Sequence, residues 1–202
     1  LSDHIEWAKF TGAAWDGDGF YYSAYPRPEV GKEFSNANEY HSVYYHKIGT
    51  EQSQDRLVFK DEKNPLHFHS VGTSDDETML ILYASGQGLC NAVKVKDLTK
   101  PGAEWVTIEP SQDYEISILD VVGETMYIYT NYGAPRYRLM TADKKAPQRE
   151  NWKEFIPEGE GVLTSVSFAD NKMILGYDKD ASNRLYVYTL DGELVREMEL
   201  PT

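Results

Sequence analysis

Apolar and polar positions along this chain recur in blocks. Four times a polar corner leads into a short alternating run of aromatic and aliphatic residues: DGDGFYYSAY from Asp16, SDDETMLILYAS from Ser74, VGETMYIYTN from Val122 and ADNKMILGYD from Ala169. Alternation over so few residues predicts strands, and helix-period apolar faces are scarce. A second strand follows each run, at SVYYHKIGT from Ser42, NAVKVKDLT from Asn91, RYRLMTAD from Arg136 and RLYVYTLDG from Arg184. An outer strand comes next, at DRLVFK, EWVTIEP, NWKEFIP and ELVREMEL, and ahead of each corner lies a further candidate, beginning at Ala8, Leu66, Tyr114 and Val162. Four strands per unit at a spacing of roughly 45 to 50 residues predicts an all-β chain of propeller blades. A single four-stranded sheet cannot bury both its faces, so such units stack and each covers its neighbour. The expected blades span roughly residues 5–60, 65–110, 113–157 and 161–200, each a four-stranded antiparallel sheet. The Pro-, Gly- and Asn-bearing insertion from Pro26 reads as a surface loop between the second and third strands of the first unit.

The DGDG corner invites a metal or phosphate reading, and its chemistry fails both. An EF-hand loop needs an oxygen ligand at its fifth position and a glycine at its sixth, where this chain has Phe20 and Tyr21. A phosphate cradle needs a following helix and a Lys-Ser or Lys-Thr pair. Asp-Gly is the preferred composition of a tight hairpin turn, so the corner is read as a turn.

Composition narrows the partners. The 202 residues are 41% hydrophobic, with fifteen tyrosines, and the formal net charge of −13 argues against nucleic acid or an anionic membrane surface. No stretch is long and apolar enough to span a bilayer, and Leu1 begins no signal peptide. A start at Leu1 reads as a processed or excised piece, and the compartment stays open between cytoplasm and periplasm. Cys90 cannot form an internal disulfide because it is the lone cysteine.

Candidate chemistry inside the chain is thin. No Gly-x-Ser-x-Gly elbow is present, and no serine or cysteine triad stands out, so no catalytic residue is expected. Cys90 reads as a small side chain at a blade rim rather than a thiol beside substrate, no partner that would activate it being evident. His67 and His69 share one face of a strand, but a third ligand cannot be named, and His41 and His46 are five apart; no metal and no cofactor are expected. The acidic clusters SDDE and EGEG sit together in turns rather than facing each other across a pocket. Trp105 and Trp152 are placed in outer strands as packing residues.

AWDGDGFYYSAYPRPE, followed by HSVYYHKIGTEQSQDRLVFKDE, resembles the propeller of the prolyl oligopeptidase family, as do TNYGAPRYRLMTAD and SNRLYVYTLDGELVREMELP further along. The resemblance runs in one order along nearly the whole chain. It implies a two-domain serine peptidase that cleaves short proline-containing peptides after proline. An α/β-hydrolase domain would supply serine, histidine and aspartate, and a seven-bladed propeller would cap it. This chain would be about four blades of that cap, with the catalytic domain outside it, silent on its own and prone to self-associate through exposed blade faces. By the same resemblance Phe10 and Phe68 match apolar cap residues that face the substrate residue ahead of the proline. The alternative, that both rings pack between blades, stays open, since buried aromatics usually belong to a core. The segment YASGQGLC lacks an arginine that some relatives carry there. A non-catalytic propeller that binds proteins or peptides is the alternative function, because the fold alone does not choose between them.

Overall fold

The computed structural model describes residues 3–35 and 37–199. Among them sixteen strands form four four-stranded antiparallel sheets, each a simple meander in chain order. The first sheet is β1 (Ala14–Asp16), β2 (Gly19–Ala24), β3 (Ser42–Lys47) and β4 (Arg56–Phe59). The second is β5 (Phe68–Thr73), β6 (Met79–Ser85), β7 (Ala92–Asp97) and β8 (Val106–Glu109). The third is β9 (Ile116–Val122), β10 (Thr125–Thr130), β11 (Arg138–Asp143) and β12 (Lys153–Ile156). The fourth is β13 (Val162–Ala169), β14 (Lys172–Lys179), β15 (Ser182–Thr189) and β16 (Leu194–Met198). The chain divides into two compact units, Leu1–Asp113 and Tyr114–Thr202, with two sheets in each.

The corners form as turn chemistry requires. Asp16 pairs with Gly19, which leaves a two-residue turn with Gly17 at φ +58°. The carboxylates of DGDG are spent locally: Asp16 accepts from the Tyr21 hydroxyl at 2.7 Å and Asp18 pairs with Lys47. In the β13–β14 hairpin both turn residues, Asp170 and Asn171, have positive φ, the backbone that matches the right-handed twist of the flanking strands.

A second device repeats four times. Each pairing of a third strand with its outer strand slips register once, at Val43/Tyr44, Val93/Lys94, Leu139/Met140 and Val187/Tyr188. In the first three sheets the slip falls between the second and third residues of the third strand, and in the fourth it falls near that strand's far end. A bulge at such a point bends the outer strand and increases its twist.

Within each unit the cores are formed by facing sheets. In the first unit Ala14, Tyr21 and Val43 meet Leu80 and Leu82, with Phe59 and Trp105 packed around them. In the second, Tyr127, Leu139 and Ile156 meet Leu163, Met173 and Leu175. Each fully covered leucine contributes about 1.5–3 kcal/mol relative to exposure, which suffices to hold such sheets face to face. Burial declines outward: β6 is buried along most of its length, whereas β16 is almost wholly exposed.

Two sequence-based expectations shift. Trp105 and Trp152 stand just before the outer strands β8 and β12 rather than in them, and Trp152 follows a 3₁₀ turn, Arg149–Asn151. The first strand of the first sheet is not AKFTGAA from Ala8 but the three residues Ala14–Asp16. Phe10 has φ +54°, which an extended strand cannot contain.

Candidate functional site

Because β1 pairs only with Gly19–Tyr21, the far half of β2 is left without a strand partner on that side. Residues 3–13 run along it as a strap. The Tyr25 amide donates to the Trp7 carbonyl, and the Ser23 amide donates to Thr11 Oγ1 at 2.7 Å. Gln52 holds the strap lower down, its amide nitrogen donating to the Glu6 carbonyl while its oxygen accepts from the Glu6 N–H, both at 3.0 Å. Asp3 closes the near end by accepting from the Gly49 amide at 2.6 Å, beside His46.

The strap delivers Phe10 to the surface. Its left-handed backbone is a conformation that bulky residues adopt only when their surroundings impose it. The ring is 70% exposed and meets Phe68, the first residue of β5, edge to face with centroids 5.4 Å apart. Phe68 is itself 41% exposed. The two aromatics singled out from the sequence are therefore neighbours on one end of the first unit. Both rings are accessible in this chain, and their contact joins the strap of the first sheet to the first strand of the second.

Behind the pair lie two buried histidines. His41 Nε2 donates to the Lys9 carbonyl at 2.8 Å, and His41 Nδ1 accepts the His69 N–H at 2.9 Å. His69 Nδ1 donates in turn to the His41 carbonyl. Tyr25 lies over the His41 ring at 4.7 Å, and Phe68 meets its edge. Burial pushes both imidazoles below their ordinary pKa, since little water remains to solvate a charge. His67 is half-buried just ahead of β5 and packs against Gly86, whereas His69 is buried within β5.

A loop completes this end. Phe68 pairs with Ser85, after which the chain runs through Gly86–Cys90 before β7. Gln112 clamps the loop: its Oε1 accepts from the Gly86 and Gly88 amides at 3.0 and 2.8 Å, and its carbonyl accepts from the Cys90 amide at 2.9 Å. Cβ atoms at Gly86 and Gly88 would lie 2.3 Å from the His67 ring and 2.1 Å from Gln112 Cβ, so both glycines are required for the close approach. Leu66 and Leu89 are exposed nearby in sequence, beside a cleft of about 580 Å³ lined in part by Leu66, His67 and Gln112. Aromatic rings and leucines of this kind can take up an apolar side chain. Sequence reasoning singled out Phe10 and Phe68; it weighed His41 only as a metal ligand and did not name Gln112, and the parts of both depend on partners dozens of residues away.

The sequence model of the prolyl oligopeptidase N-terminal β-propeller domain matches residues 1–202. The chain belongs to that family. It is 34% identical over 194 residues to a prolyl endopeptidase of Elizabethkingia meningoseptica, covering 96% of this chain and 27% of that relative. It is 30% identical to prolyl oligopeptidase A of Amanita bisporigera, over 95% of this chain and 27% of the relative. Among solved structures, prolyl oligopeptidase B of Galerina marginata, bound to a 35mer hydrolysis and macrocyclization substrate, superposes with a TM-score of 0.86 at 29% identity. That match covers 98% of this chain and 28% of the other. The four sheets are thus blades of a prolyl oligopeptidase propeller, and the chain spans only about 27% of the length of such relatives.

Proposed function

We propose that this chain is the substrate-gating part of the propeller cap of a serine endopeptidase that cleaves short peptides after proline. Its four sheets stand as four consecutive blades, and the α/β-hydrolase domain that carries serine, histidine and aspartate lies elsewhere in the parent protein. The chain alone is catalytically inactive. The observation that carries this reading is the family match over the whole chain, joined to an exposed aromatic pair at one end of the first unit.

The cap acts by exclusion and by grip. A narrow enclosure admits flexible peptides and rejects folded proteins, and keeps bulk water from the reaction. Phe10 and Phe68 contact the substrate residue ahead of the proline and contribute binding energy remote from the scissile bond. Such energy accelerates reaction only if it helps place the bond for attack.

The longer protein that carries this chain is expected to hydrolyse a fluorogenic proline-containing peptide, to leave folded proteins intact, and to lose activity with a serine-directed inhibitor. The 202-residue chain should leave the same peptide uncut. Hydrolysis by the isolated chain, or none by the longer protein, overturns the assignment.

A further inference from the structure

Resting on the peptide-contact reading above, we propose that His41 is a positioning residue that sets the spacing of Phe10 and Phe68 and makes their grip on a peptide acid-sensitive. Its ring nitrogens are committed with opposite polarity. Nε2 donates to the Lys9 carbonyl and Nδ1 accepts from the His69 amide. Only a neutral imidazole does both, because a protonated ring has two donors and no acceptor. Lys9 immediately precedes Phe10 and His69 immediately follows Phe68. One buried ring therefore ties together the two stretches of backbone that present the aromatic pair. A proton on Nδ1 would point at the His69 N–H, and the bond that joins the His41 ring to β5 would become a repulsion.

Burial outweighs what the surroundings offer such a proton, which is the Lys9 carbonyl at His41 and the field of Asp61 at His69. From the end of β2, His41 faces the Tyr25 ring; from β5 it faces Phe68 and the His69 imidazole. From the strap it faces the Lys9 backbone, while the Lys9 ammonium lies over Trp7, 5.0 Å from the ring centre. Around His69 stand Phe59, with Asp61 and His67 acting through their fields, and the Asp61 carboxylate is engaged by the Lys63 and Asn64 amides. His69 Nε2 is buried with no hydrogen-bond partner. The contrast within the same sheet is His46, which has Asp55 at 2.8 Å on one side and Asp3 at 3.6 Å on the other.

The sign follows from linkage. Burial lowers the pKa of both His41 and His69 in the fold, whereas a released histidine titrates near about 6.5. The closed arrangement is at full strength above that value and weakens as pH falls below it, by up to about tenfold in its equilibrium per pH unit for each group that titrates.

Two readouts on the 202-residue chain test the idea. Nuclear Overhauser contacts between the Phe10 and Phe68 rings report the pair itself. Calorimetric titration with a proline-containing hexapeptide, apolar at the residue before proline, reports its grip. Between pH 7.5 and 5.5 the ring contacts should fade and the affinity should drop by roughly tenfold. His41→Gln, whose amide can donate and accept without titrating, should flatten both profiles, and the wild-type titration needs no substitution to be read. Ring contacts that persist at pH 5.5 with His41 protonated would overturn the proposal. Ring contacts that fade while affinity holds would support His41 as the positioning residue but refute the pair as the peptide contact.

Discussion

Phe10→Ala separates a contact residue from a core residue. In a core, a phenylalanine cut back to alanine costs about 3–5 kcal/mol. Phe10 is 70% exposed and its packing is chiefly the edge-to-face contact with Phe68, which is worth about 0.5–1.5 kcal/mol. Alanine keeps a Cβ and so inherits the same left-handed backbone strain, which cancels from the comparison. The urea midpoint should therefore move by no more than about 1.5 kcal/mol allows. Peptide binding should respond far more. A phenylalanine side chain buries about 200 Å² when fully covered, so roughly 140 Å² of Phe10 remains to be covered by a ligand, a gain of about 3 kcal/mol. Ordering of side chains returns about 1 kcal/mol of this, leaving about 2 kcal/mol, or roughly thirtyfold in Kd. Calorimetric titration with the apolar-proline hexapeptide measures the second quantity and urea unfolding the first. A stability loss of core size, or an unchanged Kd, would refute the placement of Phe10 in the peptide contact.

Leu175 is fully buried between the two sheets of the second unit, and Leu175→Ala should cost about 2–5 kcal/mol, seen as faster amide exchange through β13–β15. Gly88→Ala would set a Cβ 2.1 Å from Gln112 Cβ and 2.8 Å from the Gln112 carbonyl oxygen. It should cost about 1–3 kcal/mol and release the Gly86 and Cys90 amides to exchange, whereas an unchanged exchange pattern would show that Gln112 is no clamp. Trp15 is exposed on the first sheet, as are Leu194 and Val195 on β16, and apolar surface of this kind seeks cover. Light scattering of the isolated chain should show a mass that rises with concentration, and a constant monomer mass would contradict this.

The blades were legible because their signals are local. A corner such as Ala169–Lys172 needs two residues at positive φ, and Asp-Asn supplies them next to a run whose alternation is visible within eight residues. The failure at Ala8 is equally physical. AKFTGAA alternates well enough for a strand, but the groups that bind its Lys9 and Thr11 are a histidine at position 41 and the amide at 23. Those partners hold it as a strap rather than in a ladder. No window around residue 10 contains them, so neither the positive φ at Phe10 nor the task of His41 could be read there.

That failure also explains how the site can exist. A residue in the ladder alternates between the two faces of a sheet, and in stacked sheets both faces tend towards burial, so a ring placed there becomes core, as Tyr21 does. Turning Phe10 outward requires the chain to leave the ladder while staying fixed. The shortness of β1 provides that exit, leaving the Ser23 amide of β2 and the Tyr25 amide just beyond it to be satisfied by Thr11 and Trp7 of the strap. Every backbone group of the strap bound by a side chain or by β2 is one fewer way for Phe10 to move, so an irregular segment acquires the rigidity of a strand without its burial. A peptide contact built this way draws its precision from His41 and Gln52 rather than from the sheet. Substitutions at those two positions should then loosen the contact while leaving the blade cores intact.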